Sequence, residues 1–289
     1  MRISRRNLLK SGVTLIAAGS ALALLYNRPR SIDSLRDLLI DPNGILDLPS
    51  GYSYHILERA GALMSDGNPV PDAPDGMGCF PGATGQWILV RNHEIHEGQT
   101  ADSILTYDPE RAGGVSRVVV DAKSGERLSS NLLLTGTSRN CAGGPCTEGW
   151  LSCEEIDEPN HGYVFLCDPT AHSLQPPRRL TSLGRFAHEA AAVDPETGVT
   201  YLTEDATDSA IYRYVPENPN RPFSDGTLQA LKIADTDRAD LSTNRRVGDR
   251  LSVDWITIDH PQAQSTPCLL YTSDAADDTP CVDLGGRRI

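Results

Sequence analysis

Basic charge is scarce in this 289-residue chain: 26 Lys and Arg stand against 39 Asp and Glu, a formal net charge of −13. Binding a phosphate backbone needs a basic footprint, so nucleic acid is excluded as a partner for the bulk of the chain. Aromatic residues are only 6%, and there are three methionines. Beyond residue 30 no apolar run is long enough to span a membrane. Helical periodicity is also poor after the N-terminus, with Ile32–Leu39 the one short candidate. Coiled coils are thereby excluded, and Gly 25 and Pro 20 without a three-residue period exclude collagen. What remains is a turn-rich chain. Its hydrophobic share of 39% is enough for a core and excludes disorder throughout. The length fits one large domain or two ordinary ones.

The two ends differ from the middle. Residues 1–30 carry six basic groups and no acid, which leaves the remainder at −19. Ser4-Arg5-Arg6-Asn7-Leu8-Leu9-Lys10 resembles a twin-arginine export signal, and the uncharged run Gly12–Leu25 has the length of a signal h-region. The twin-arginine translocase is therefore an expected partner, moving a folded protein to the periplasm or beyond. An uncleaved signal would leave the protein anchored in the membrane. At the other end, Cys268–Asp278 resembles one reading frame of a sequencing-library adapter. The expected organisation is a signal segment 1–30, a domain 31–267 and a non-native tail 268–289. On this reading the natural protein is longer and the chain is a fragment. Five cysteines precede the tail, Cys79, Cys141, Cys146, Cys153 and Cys167, an odd number that leaves at least one thiol free.

Short strands and turns fill the middle. Strand patterns fall at Tyr52–Leu57, Gln86–Val90, Gly114–Val120, Glu126–Leu134, Tyr163–Cys167, Ala191–Val193, Val199–Leu202, Ile211–Val215 and Asp254–Asp259. Two connectors, Asp121–Gly125 and Asp194–Gly198, have the form Asp-x-x-x-Gly, in which Asp starts a turn and Gly accepts a positive φ. The expected class is all-β. Roughly 220 residues at ~40–45 per four-stranded blade give about five blades of a β-propeller, with a pair of β-sandwiches as the alternative.

Four polar clusters sit at strand ends: Arg91-Asn92-His93-Glu94, Arg139-Asn140-Cys141-Ala142-Gly143-Gly144, Trp150–Glu155, and Gly184–Ala190 with Tyr201–Asp205 close behind. Taken singly, each reads as an ordinary turn or a solvated acidic pair. Taken together on an acidic chain, they point to a cation site, because carboxylates converging at strand ends need positive charge against them. A sulfur ligand beside them favours a transition metal at that position.

These strings, with Leu48–Tyr54, Met64-Ser65-Asp66-Gly67, Asp75-Gly76-Met77 and His161–Phe165, resemble the PhoX-type alkaline phosphatases over roughly residues 45–215. The resemblance implies a six-bladed propeller that holds Fe(III) and Ca2+ as cofactors, hydrolyses phosphate-ester small molecules and is a monomer at full length. It implies that Cys141 is an iron-bound thiolate and that Glu189 and either Glu154 or Glu155 are carboxylate ligands. Glu94 and Asn140 would stand on the calcium side. The family's later Arg-Gly-Glu-Gly segment, whose Arg contacts phosphate, is not in this sequence; its place would be beyond Pro267. Two other functions compete: a calcium-dependent propeller lactonase or esterase, which would need no thiolate, and a non-enzymatic propeller serving as a binding module.

Overall fold

A computed structural model describes residues 38–262, apart from residues 237, 238, 242 and 244. The expected signal segment and the expected tail both lie outside the described residues. The chain divides into two compact units, Met1–Ile56 and Leu57–Ile289. In the first, β1 (Leu38–Leu39) pairs antiparallel with β2 (Leu48–Pro49). The Asp41 carboxylate shapes the turn between them by accepting the backbone N–H groups of Asn43, Ile45 and Leu46. Leu38 and Leu39 are thus strand rather than the end of the helix expected from Ile32. Tyr52–Leu57 forms no strand despite its alternation; Tyr52 and Ile56 are exposed, so the pattern has no apolar face to bury.

The second unit is all-β apart from a 3-10 turn at Thr181–Leu183, among the described residues. Its strands form three antiparallel meanders. The first holds β3 (Pro74–Pro81), β4 (Gln86–His93), β5 (Gly113–Asp121) and β6 (Arg127–Thr137). The second holds β7 (Asn140–Cys146), β8 (Gly149–Glu154) and β9 (Val164–Cys167). The third holds β10 (His188–Val193), β11 (Thr200–Glu204), β12 (Ile211–Pro216), β13 (Gly226–Ile233) and β14 (Val253–Thr257). The leading strand of the middle sheet, β7, packs against the leading strands of both neighbours, β3 and β10. This is the blade arrangement of a β-propeller, and among the described residues it does not close into a ring.

The blade count departs from the length arithmetic. Three blade-like sheets, not about five, stand among the described residues, because long connections such as 94–112, 168–187 and 234–252 absorb chain that the arithmetic assigned to strands. Both Asp-x-x-x-Gly turns form as expected. Gly125 and Gly198 have φ of 73° and 72°, and each donates its N–H to the carbonyl of the opening Asp.

Period-2 alternation buries both faces of the middle sheet. Trp150, Phe165 and Cys167 face the first sheet and pack with Ile88, Val90, Val115 and Leu134. Leu151, Cys153, Val164 and Leu166 face the third and pack with Leu202, Tyr212, Tyr214 and Leu228. Burying a side chain of this size stabilises the fold by ~1.5–3 kcal/mol. At the leading strands the backbones come too close for side chains. A Cβ on Gly144 would lie 1.9 Å from the carbonyl oxygen of Ala191, and one on Gly76 would lie 2.7 Å from Cα of Ala142. That is why β3 and β7 are written in Gly- and Pro-rich text that reads as turns.

Candidate metal centre

The three sheets begin alike. The first residue of each leading strand pairs with the last residue of the second strand: Pro74 with His93, Asn140 with Glu154, His188 with Glu204. In each sheet the register then slips, between Pro74 and Met77, Asn140 and Gly143, and His188 and Ala191. Such bulges re-aim side chains, and the residues entering them are Asp75, Cys141 and Glu189. The residue just past each second strand is also acidic: Glu94, Glu155 and Asp205. Each of these donates its backbone N–H to the residue ahead of the leading strand, at 2.9 Å to Ala73, 2.9 Å to Arg139 and 3.1 Å to Ala187.

The bulges bring their side chains together. Ligand atoms of Cys141, Glu155 and Glu189 all lie within 4.8 Å of one another. The Cys141 thiol lies 3.6 Å from Glu189 Oε2 and 3.8 Å from Asp75 Oδ1. Glu155 shares a hydrogen bond with Asp205. Arg139, held at a left-handed φ of 49°, sets its guanidinium 3.2 Å from Glu94 and 3.8 Å from Glu155. Asn92, buried at the end of β4, donates to the carbonyls of Cys141 and Ala142 at 2.9 and 2.6 Å and so fixes the middle bulge. Its carbonyl accepts Trp150 Nε1 and Ser152 Oγ.

Crowding shows in the protonation of the group. Burial pushes the Cys141 thiol up, and Glu189, Asp75 and Glu155 push it further. Burial, the hydrogen bond with Asp205 and repulsion from Glu189 raise Glu155 to about 7, against the opposing pull of Arg139. Glu189 is raised as well, by burial and then by Asp205. Without a cation the site therefore holds protons that a cation would displace. The donor set fits one: a soft sulfur suits a transition metal, and the surrounding carboxylates suit a hard cation.

Of the residues read from the sequence, the structure brings Cys141, Glu155 and Glu189 together, with Glu94 joined to them through Arg139. Glu154 and Asn140 are not brought into the group. The Glu154 side chain is fully buried and accepts the N–H groups of Ser138 and Tyr163 and a nitrogen of His161. Asn140 accepts Thr137 Oγ1 at 2.6 Å and donates to Ser152 Oγ at 2.9 Å. The alternation of a strand sends Glu154 and Glu155 in opposite directions. His188, beside Glu189 in the sequence, is fully buried. Sequence reasoning missed Asp75 and Asp205 as site residues. Their signals were the Asp75-Gly76 step and an acid following another acid at a strand end. All five cysteines among the described residues are free.

The family model for alkaline phosphatase PhoX matches residues 34–133 and 126–282. Among solved structures, the chain is similar to Pseudomonas fluorescens PhoX in complex with vanadate, a transition state analogue, at a TM-score of 0.53 and 19% identity. The match covers 73% of this chain and 56% of that one, so the chain spans little more than half the length of the structure it resembles. No curated protein matches the chain.

Proposed function

The chain belongs to the alkaline phosphatase PhoX family, and on that footing we propose that it serves a metal-dependent phosphatase acting on phosphate esters in the cell envelope. The observation that carries this reading is the convergence of Cys141, Glu155 and Glu189 at the start of two adjacent blades. Cys141 and Glu189 would hold a transition metal, Fe(III) by family resemblance. Glu155, Asp205, Asp75 and Glu94 would hold it from the other side or share Ca2+. Bound there, the cations would supply Lewis acidity and neutralise the ester's oxygens. The chain's own groups prepare the place. Glu155 would be the carboxylate that yields a proton to a bound cation, and the Asn92 amide, on the Cys141 and Ala142 carbonyls, keeps the Cys141 bulge in place. Arg139 holds a cationic group at the partly open rim, where an anionic ester arrives.

A thiol at the centre of the group favours this reading over a calcium-only esterase, which has no use for sulfur. The vanadate complex of the Pseudomonas protein supports an oxyanion ligand for this chain as well. Export through the twin-arginine translocase, directed by Arg5 and Arg6, accords with insertion of metal before translocation. The test is metal analysis joined to phosphomonoester hydrolysis. Cys141→Ser is expected to lose iron and activity far beyond Cys79→Ser or Cys167→Ser, because a hydroxyl is a poor substitute for sulfur on iron. Unchanged iron in Cys141→Ser would overturn the assignment.

A further inference from the structure

Each sheet carries, beside its pair of site residues, a third repeated position. This is the last residue of the second strand: His93 in β4, Glu154 in β8 and Glu204 in β11. All three are buried. All three are polar, at a point where strand alternation turns them away from the cation site. The chain has three equivalent places to bury an apolar residue and uses none of them.

What these side chains touch repeats as well. His93 Nδ1 lies 2.8 Å from the carbonyl of Asp72, three residues ahead of Asp75. Glu154 Oε1 accepts the N–H of Ser138 at 2.8 Å, three residues ahead of Cys141. Glu204 accepts the Tyr212 hydroxyl at 2.9 Å, and the Tyr212 ring stacks at 4.2 Å on Phe186, three residues ahead of Glu189. Each anchor thus grips, directly or through one ring, the segment that leads into a bulge. Each anchor has further partners. His93 Nε2 meets Ser116 Oγ at 2.8 Å, Glu154 meets His161 Nδ1 at 2.7 Å and Tyr163 N–H at 3.1 Å, and Glu204 accepts Ala210 N–H at 3.2 Å.

We infer that His93, Glu154 and Glu204 are positioning residues, one per blade, that set where the bulge presents Asp75, Cys141 and Glu189. A bulge is an irregular stretch of backbone with one residue unpaired. Its geometry is free to vary unless something outside the ladder holds it. The acid past each second strand pins one carbonyl of the incoming segment, and the anchor pins a second point. Two fixed points define the direction of the donor that follows. Groups hydrogen-bonded to a ligand itself are worth about 10–100-fold in metal affinity, and an anchor one step further out is expected at the lower end of that range. The inference rests on the cation reading of the site, and its test separates the two.

The experiment uses the 289-residue chain and cobalt(II) as the probe, followed by thiolate-to-metal charge-transfer absorption and by binding titration. Glu154→Gln retains size but can accept at one oxygen only, and it turns an NH2 group towards a backbone donor. It is expected to weaken cobalt(II) binding at least about 10-fold and to shift or diminish the sulfur band. Leu228→Ala, a cavity in the outer strand β13, serves as the stability control. It is expected to lower the melting temperature and leave the band and affinity intact. Wild-type affinity and spectrum in Glu154→Gln would overturn the inference, as would an equal loss of affinity in Leu228→Ala. If Glu154→Gln does not fold, His93→Asn faces the same comparison through Asp75, with affinity as the readout. If the wild type shows no sulfur band, or Cys141→Ser leaves the band unchanged, the cation reading falls and the inference falls with it.

Discussion

Replacing Gly144 by alanine tests the geometry on which the site depends. The added methyl would lie 1.9 Å from the carbonyl oxygen of Ala191, whereas ordinary contact begins near 3.4 Å. The obstacle is backbone on both sides, so no rotamer relieves it. Strands β7 and β10 must part by about 1.5 Å, the difference between those two distances. Overpacking of this kind costs ~1–3 kcal/mol, and more where the surroundings are rigid. The same two strands carry Cys141 and Glu189, whose sulfur and oxygen now lie 3.6 Å apart. Parting the strands must therefore also weaken cation binding. Gly85→Ala is the natural comparison: its φ is +79° with nothing within 4 Å, so its cost is the backbone penalty of ~1–2 kcal/mol and no more. Denaturant unfolding and metal titration of both variants give the answer. Gly144→Ala should lose stability and affinity together, and Gly85→Ala stability alone. If Gly144→Ala stays within about 0.5 kcal/mol of wild type and binds metal normally, the close approach of the leading strands is wrong.

Three further outcomes follow from individual groups. Burial disfavours a charged His161, but hydrogen bonds and Coulombic attraction from Glu154 and Asp108 outweigh it and raise its pKa. The stability it contributes is then complete below its unfolded value near 6.5 and is lost as pH rises through the raised one. The gap in unfolding free energy between wild type and His161→Gln should accordingly be wider at pH 6 than at pH 9, and a constant gap would refute the charge assignment. Thiol labelling of the native chain should modify exposed Cys79 first and leave Cys153 and Cys167 untouched until unfolding; burial raises Cys167 to about 12 and Cys153 further, as does Glu189 in the case of Cys153. Changing Arg5 and Arg6 together to Lys should hold the precursor in the cytoplasm, and normal export of that variant by cell fractionation would defeat the signal assignment.

Sequence periodicity served well where one physical rule governs a segment. The Asp-x-x-x-Gly connectors obey turn chemistry, the apolar runs in β4 and β12 alternate in burial, those in β5 and β9 are buried on both faces, and all are where the text places them. It failed where packing overrides propensity. The leading strands β3 and β7 are strands because their neighbours hold them, and their glycines record close backbone approach rather than flexibility. Tyr52–Leu57 fails in the opposite sense, with a strand-like alternation and no partner to pair with. The choice between Glu154 and Glu155 could not be made from two adjacent identical letters. It follows from the register, since Glu154 pairs with Asn140 at the end of the ladder and Glu155 is the first residue beyond it.

The blade repeat is the part of the site that the sequence conceals, and the reason is chemical. At the bulge the three sheets carry Asp75, Cys141 and Glu189, three different letters for one task of presenting an anion or a potential anion. At the anchor they carry His93, Glu154 and Glu204, again chosen for hydrogen bonding rather than identity. The separations from bulge donor to outer acid also differ, because the hairpins between them are Pro81–Gln86, Cys146–Gly149 and Val193–Thr200. A search for repeated letters at a fixed period has nothing to find. A search for repeated backbone tasks does: the same first-to-last pairing, the same slip, and the same N–H pinned to the residue ahead of the strand. On the cation reading proposed above, a blade that exchanged carboxylate for thiol at the bulge would change which metal it prefers without altering the ladder that aims it.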